Sequence, residues 1–178
     1  MKRIAIAVMA SALSAVAVAG DDFEHPYVGL EYQIGKYQPD TGSDTKPKGV
    51  LLRVGTEVTP YLGVEFQAAT GVQDSTISAP GVNYKISLDQ LYGAFLRPQL
   101  PFGQNAGSVY ALVGYSTVGI SAKSDNPAFK SNSGNDNDFS WGVGADLNVS
   151  HNFRVDANYV EYLKSYKAIN VGIRIPIE

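Results

Sequence analysis

The residues of this sequence that could do chemistry are mainly acids and arginines set among aliphatic residues. An arginine and a carboxylate that meet away from water form a strong, often bidentate pair, and a buried charge is costly without such a partner. Because side chains on a strand alternate between its two faces, charged residues at even spacing share one face. One enclosed network is predicted to contain Glu31, Arg53, Glu57, Glu65, Asp89, Arg97, Asp146, Arg154, Asp156 and Arg174.

The positions of turns predict which of these residues meet. About a tight turn at Thr59-Pro60, Arg53 should face Gln67 and lie diagonal to Glu65. About the loop before this hairpin, Glu31 should face Arg53. A ladder of acid–arginine pairs is therefore expected along the first three strands.

The same reasoning applies near the end of the chain. Asp156 should come opposite or near Arg174, and Asn148 should face Arg154 with Asp146 diagonal to it. The simplest interpretation is that the network fills and fixes the interior of a barrel. The alternatives are a path for protons or small ions that is gated by switching of these pairs, and catalysis in a cavity.

The segments that position these residues are β-strands, because apolar and polar residues alternate with a period of two and helical spacing is nowhere sustained. Connections at 38–48, 74–82, 119–138 and 164–167 are mostly polar and mostly long, and they alternate with tight turns at 59–60 and 150–152 and a moderate turn at 98–107, as in outer-membrane barrels. We predict an all-β fold, an eight-stranded antiparallel up-and-down transmembrane β-barrel. Its strands are predicted at 27–37, 49–58, 61–73, 82–97, 108–118, 139–149, 153–163 and 168–177.

Two of the predicted strands have an ambiguous phase. In the fourth, Gln90 falls on the apolar face, and the other phase would place Asp89 there, so a bulge is predicted nearby. The fifth strand, 108–118, is apolar on both faces, and the pattern does not fix which residues point inward.

Three features indicate that the polar strand face points inward and the aliphatic face meets lipid. Beyond residue 19, arginines lie on the polar face and lysines lie in or beside the long loops, and arginine suits enclosed pairing. Glycines share the polar face, where they make room for long charged groups in a narrow interior. Aromatic residues near the strand ends match membrane interfaces. They are Tyr27, Tyr61, Phe102 and Phe153 at one end and Tyr37, Tyr84, Tyr115, Phe139, Trp141, Tyr162 and Tyr166 at the other.

Residues 1–19 are predicted to be a secretory signal peptide, because Lys2 and Arg3 precede an apolar run that ends at Ala17-Val18-Ala19. Residues 20–178 would then form one barrel domain. The chain has no cysteine, which excludes disulfides and thiolate metal sites. Its formal net charge of -3 does not favour nucleic-acid binding.

These features, with segments such as Tyr27-Val28-Gly29-Leu30-Glu31-Tyr32 and Leu91-Tyr92-Gly93-Ala94-Phe95, resemble the small outer-membrane β-barrel family. That family includes OmpA-type and opacity-type barrel domains. The resemblance covers essentially the whole chain after the signal peptide, and it implies location in the outer membrane and insertion by the barrel-assembly machinery. One departure is the C-terminal Pro176-Ile177-Glu178, because such barrels commonly end in an aromatic residue.

The residues give little support to an enzyme. Lipid A deacylases that resemble this fold use a His-x-Ser segment with a distant Glu, whereas here His151 is followed by Asn152-Phe153 and the other histidine is His25. No serine has a workable spacing to a histidine and a carboxylate on one strand face. The run Asn135-Asp136-Asn137-Asp138 lacks the spacing of a calcium loop. We expect no catalytic residue, cofactor or metal.

The predicted function is a structural or surface-interaction role without catalysis, and the alternatives are a narrow ion or small-solute channel and a lipid A-modifying enzyme. Expected partners are outer-membrane lipid, lipopolysaccharide and a surface ligand that binds loops 38–48, 74–82 and 119–138. Nucleic acid is not expected. The lysines predicted to meet lipopolysaccharide phosphates are Lys36, Lys46, Lys48, Lys164 and Lys167.

Overall fold

The strands form as the alternation of apolar and polar residues predicts. A computed structural model describes residues 26–38, 45–79, 82–104, 106–124, 132–150 and 153–177, so the predicted signal peptide lies outside the described residues. Within these ranges, no helix is long and apolar enough to cross a membrane. The strands are β1 Pro26–Tyr37, β2 Lys48–Thr59, β3 Leu62–Gln73, β4 Ser75–Ala79, β5 Val82–Phe102, β6 Gly107–Ser124, β7 Asn132–Ser150, β8 Phe153–Leu163 and β9 Tyr166–Pro176.

All these strands belong to one antiparallel sheet that closes on itself. The order is β3-β2-β1-β9-β8-β7-β6-β5-β4, and β3 also pairs with β5, which joins the two ends. Because β3 and β4 are separated only by Asp74 and both pair with β5, they occupy a single position in the ring. The structure therefore confirms the predicted eight-stranded antiparallel barrel.

One end of the barrel is longer than the sequence predicts. The predicted loop 119–138 is mostly strand, since β6 continues to Ser124 and pairs with β7 from Asn132 onwards. The predicted loop 74–82 contains β4, which pairs with the beginning of β5. Together β4, β5, β6 and β7 extend beyond the barrel rim at the end that carries the long connections. We call this end the loop end and the other, where the chain turns at 60–61 and 103–106, the turn end.

The two faces of the barrel wall differ sharply in polarity. Outward side chains such as Leu30, Phe66 and Ile169 expose 54%, 60% and 53% of their surface. Inward side chains such as Arg53 and Arg97 are completely buried. Since exposed aliphatic side chains on this scale require an apolar surrounding, this wall is suited to acyl chains and not to water.

The interior is divided into two zones, and this corrects the expectation of a charged ladder throughout. The charged residues lie in the half nearer the turn end. The half nearer the loop end is filled by an apolar cluster, which we call the apolar zone. Its members are Leu51, Ala69, Leu88, Leu91, Phe95, Leu112, Val118, Val160, Tyr162, Leu163, Tyr166 and Ala168, and Tyr110 packs against it from among the charged residues.

The fourth predicted strand contributes to the apolar zone because of a bulge. The pairing of β5 with β6 shifts register between Leu88 and Gln90, at the place where the sequence indicates a bulge. The shift reverses the faces on the loop side of it. Ile86 and Leu88, which have the same phase as Gln90 on the predicted lipid-facing side, are therefore buried in the interior.

The aromatic belts are only partly as expected. Tyr61 and Phe102 are exposed near the turn end, and Tyr115, Phe139 and Trp141 are exposed nearer the loop end. Three other members of the predicted belts are buried instead; they are Tyr27, Tyr162 and Tyr166. Their hydroxyl groups explain the difference, because each finds a polar partner in the interior.

Candidate functional site

Arg53 is the centre of the first charged cluster in the interior. Its Nε and Nη2 donate to the two carboxylate oxygens of Glu65 at 2.9 and 2.6 Å, a bidentate pair. Its Nη1 donates to Glu31 and, at 2.7 Å, to Asp156. One guanidinium from β2 therefore joins carboxylates from β1, β3 and β8, and all four side chains are buried.

Asp146 is the centre of the second cluster, which lies closer to the turn end. Its carboxylate is 2.6 Å from Arg97, 2.9 Å from Arg174 and 3.6 Å from Arg154. Arg154 also lies 3.2 Å from Glu57. Here three cations share two carboxylates, whereas in the Arg53 cluster three carboxylates share one cation.

Two tyrosines join the clusters, and the sequence reasoning missed both of them. Tyr110 donates its hydroxyl to Asp156 at 2.5 Å, and the Arg97 guanidinium lies 3.9 Å from the centre of the Tyr110 ring. Tyr27 donates to Glu65 at 2.6 Å, and Arg174 lies 4.4 Å from the centre of its ring. Each tyrosine thus presents a hydroxyl to one cluster and a π face to the other.

Amide side chains complete the hydrogen bonding of the first cluster. Gln67 donates to Glu65 at 2.6 Å, and Asn158 donates to Glu31 at 3.0 Å. Tyr162 in turn donates to Gln67 at 2.6 Å. Their positions on the polar face were visible in the alternation, which is the signal that could have included them.

Nine of the ten residues predicted to form the network lie in these two clusters, but the register differs from the expected one. Arg53 faces Gln67 and lies diagonal to Glu65, as predicted. Glu31, however, faces Leu51 and reaches Arg53 diagonally. Arg154 faces Asn148 with Asp146 diagonal, as predicted. Asp156 faces Gly172 and so lies diagonal to Arg174, near it as expected, but its ion pair is with Arg53.

Asp89 does not belong to the network, and its assignment was wrong. It is the bulged residue of β5, and its side chain is exposed. It accepts a hydrogen bond from Ser121, on the neighbouring strand β6. The physical reason is the bulge itself, because the extra residue moves the carboxylate out of the inward phase.

Inward glycines make room for tyrosine rings more than for charges. A Cβ atom built on Gly55 would lie 2.7 Å from the ring of Tyr27, and one built on Gly144 would lie 2.5 Å from the ring of Tyr110. No carbon atom tolerates such contacts. Glycine therefore makes room in the narrow interior, as predicted, but tyrosine rings fill that room instead of charged groups.

The chemistry open to this arrangement is ion pairing. Among the residues that the structure describes, no group of histidine, cysteine or acidic side chains has the arrangement of a metal site. The carboxylates of the first cluster are engaged by Arg53, Tyr110, Tyr27 and the amides. The site is thus best suited to holding eight strands in one register.

The loop end presents a different chemistry, that of exposed lysines. Lys85 of β5 lies directly opposite Lys123 of β6, and both are exposed. Lys36 of β1 lies directly opposite Lys167 of β9. Lys167 also forms an ion pair with Glu161 at 3.0 Å.

Comparisons with known proteins agree with this geometry. The model of the family described as "Outer membrane protein beta-barrel domain" matches residues 5–173. No curated protein matches the sequence.

Several solved structures share the fold. Ail, the attachment invasion locus protein of Yersinia pestis, solved in complex with the heparin analogue sucrose octasulfate, has a TM-score of 0.59 at 20% identity. The match covers 85% of this chain and 99% of that one. Neisserial surface protein A has a TM-score of 0.57 at 16% identity, over 85% of this chain and 97% of that one. The N-terminal barrel domain of Pseudomonas aeruginosa OprF has a TM-score of 0.56 at 10% identity, with the same coverages.

Proposed function

The chain belongs to the outer membrane protein beta-barrel domain family, and from this premise we propose that it is a non-enzymatic barrel with a surface-interaction role. It is located in the outer membrane. The interior network holds the barrel closed, and the loop end binds phosphate-bearing saccharide, with lipopolysaccharide as its partner. Segments 38–48, 74–82 and 119–138 carry the surface contacts, and the barrel-assembly machinery inserts the chain.

The observation that carries the proposal is the pairing of lysine with lysine across neighbouring strands. Like charges directly opposite one another destabilise a sheet. Lys85 and Lys123 occupy such a position at the loop end, and both are exposed. A polyanionic partner would relieve this repulsion, since ammonium groups bind phosphates as point charges.

The lysines predicted to meet lipopolysaccharide support the same proposal. Lys36, Lys46 and Lys164 are exposed at the loop end, and Lys48 and Lys167 are partly exposed. One neighbour in fold, Ail, was solved with a sulfated sugar bound. A sulfated sugar shares with lipopolysaccharide a saccharide that bears several anionic groups.

The two-zone interior argues against the channel alternative. A conducting path would have to cross the apolar zone, where Leu51, Leu91 and Leu112 are completely buried. Desolvating an ion there is costly. The channel alternative requires discrete conductance steps in planar bilayers, and the enzyme alternative requires a changed lipid A acyl pattern on overexpression. We expect neither.

The proposal is tested by replacing Lys36, Lys46, Lys48, Lys85, Lys123, Lys164 and Lys167 with glutamine in the full chain. A matched variant replaces the same seven with arginine and keeps the charge. We expect the glutamine variant to retain several-fold less lipopolysaccharide on purification and the arginine variant to retain the normal amount. Sucrose octasulfate in a parallel binding assay separates lipopolysaccharide recognition from a general affinity for anionic sugars. Equal lipopolysaccharide retention by the wild type and the glutamine variant, both folded, would count against the proposal.

A further inference from the structure

The first nine residues of β7 have one edge with no strand beside it among the described residues. On one side, Asn132–Ser140 pairs with β6, from Ala122 opposite Asn132 to Gly114 opposite Ser140. On the other side, pairing with β8 begins only at Trp141 opposite Glu161. The segment therefore rises above the barrel rim as an edge strand. Edge strands with free N–H groups are templates for the addition of another strand.

Two backbone N–H groups of this segment are occupied by side chains. Asn137 N donates to the carboxylate of the preceding Asp136 at 2.9 Å. Phe139 N donates to the carboxylate of the preceding Asp138 at 2.8 Å. The backbone N–H groups of alternate residues in a strand point to the same side, so those of residues 137 and 139 lie on the same edge. An incoming strand would have to displace both carboxylates.

The opposite edge of the extension is formed by a much shorter strand. It is β4, which has only five residues, Ser75–Ala79. The hydroxyl of Ser75 accepts the backbone N–H of Lys46 at 3.2 Å. The short length limits what could pair there, so the longer edge of β7 is the one that needs protection.

We propose that Asp136 and Asp138 are strand-edge caps that keep β7 from pairing with β7 of a second copy of this chain. Identical edges pair through an antiparallel two-fold arrangement. Centred on Asn137, this arrangement would place Asp136 opposite Asp138 of the other copy, so the caps also bring like charges together. This role is independent of the proposed binding of anionic saccharide.

The test compares two double variants of the full chain in detergent solution. Asp136→Ala/Asp138→Ala removes both the caps and the charge. Asp136→Asn/Asp138→Asn removes the charge but keeps a side-chain oxygen that can accept the N–H. Sedimentation equilibrium in density-matched detergent gives the association constant of each, and heat-dependent gel migration shows that each barrel is closed.

We expect the alanine variant to dimerise on the order of a thousandfold more strongly than the wild type, the factor for four net hydrogen bonds, because the two copies of a two-fold dimer release two capped N–H groups each. The asparagine variant should associate more strongly than the wild type but much more weakly than the alanine variant, because it loses the charge repulsion and keeps the caps. An alanine variant that associates no better than the wild type overturns the proposal. Equal association of the two variants overturns it as well, because charge alone would then explain the effect.

Discussion

Arg53 donates hydrogen bonds to three carboxylates that come from three different strands, and its side chain is completely buried. Removing one partner of a buried ionic cluster leaves charges without compensation, which costs about 3–5 kcal/mol. We predict that Arg53→Met lowers the free energy of unfolding by this amount. The measurement is urea unfolding in lipid vesicles, followed by the fluorescence of the single tryptophan, Trp141.

A matched control at the same scale is Arg154, which also pairs with carboxylates but leaves 31% of its side chain exposed. Because solvent screens such a pair, Arg154→Gln should cost no more than about 1 kcal/mol. If Arg53→Met were no more harmful than Arg154→Gln, the Arg53 cluster would not be what holds β1, β2, β3 and β8 together.

The extension of β6 and β7 beyond the rim can be tested with an engineered disulfide, because the chain has no cysteine of its own. Ser121 and Ser133 lie directly opposite one another in the register. The Cα atoms of opposite residues are within the 4.4–6.8 Å range that a disulfide needs. We predict that Ser121→Cys/Ser133→Cys forms an intramolecular disulfide under mild oxidation, seen as a loss of free thiol in the unfolded chain.

The diagonal pair Ser121→Cys/Asn135→Cys is the control. Diagonal neighbours are roughly 7–8 Å apart, outside the preferred range for a disulfide. Equal, slow oxidation of both pairs would indicate that residues 119–124 and 132–138 are the loop that the sequence suggested and not a ladder.

The same elements show what the sequence could and could not predict. Clean alternation gave β8 its exact bounds, Phe153–Leu163, and placed Arg53 and Glu65 correctly. The first residues of β7, 132–138, were predicted to be loop because Asn, Asp, Ser and Gly are poor strand formers. Pairing with β6 overrides that preference.

Phase errors account for most of the remaining misses in the candidate site. Asp89 lies outside the interior because of a bulge. The sequence indicated where the bulge lies but not which residues it turns outward. Tyr110 lies in a strand that is apolar on both faces, so its inward position could not be read from the pattern. Tyr27 was assigned to a belt, although it has the same phase as Gly29 and Glu31 on the inward face, where its hydroxyl donates to Glu65.

At the scale of the whole molecule, the interior and the outer wall have exchanged the usual roles of core and surface. Carboxylates and guanidinium groups are completely buried, while Leu, Val and Ile expose about half of their surface. Such a molecule is stable only if its wall is surrounded by hydrocarbon, since water would be unfavourable on that wall. The free-energy cost of placing a charged side chain on the outer wall should therefore depend on its depth in the membrane.

Val171, in the middle of β9, and Val149, near the turn-end limit of β7, allow that argument to be tested at matched exposure, 50% and 58%. A lysine on the lipid face costs about 2–4 kcal/mol at the bilayer midplane and about 0–1 kcal/mol near the interface. We predict that Val171→Lys destabilises the barrel in lipid vesicles by about 2–4 kcal/mol and that Val149→Lys has little effect. In water both substitutions would be nearly neutral, so two equally small costs by urea unfolding would contradict the burial of this wall in the membrane.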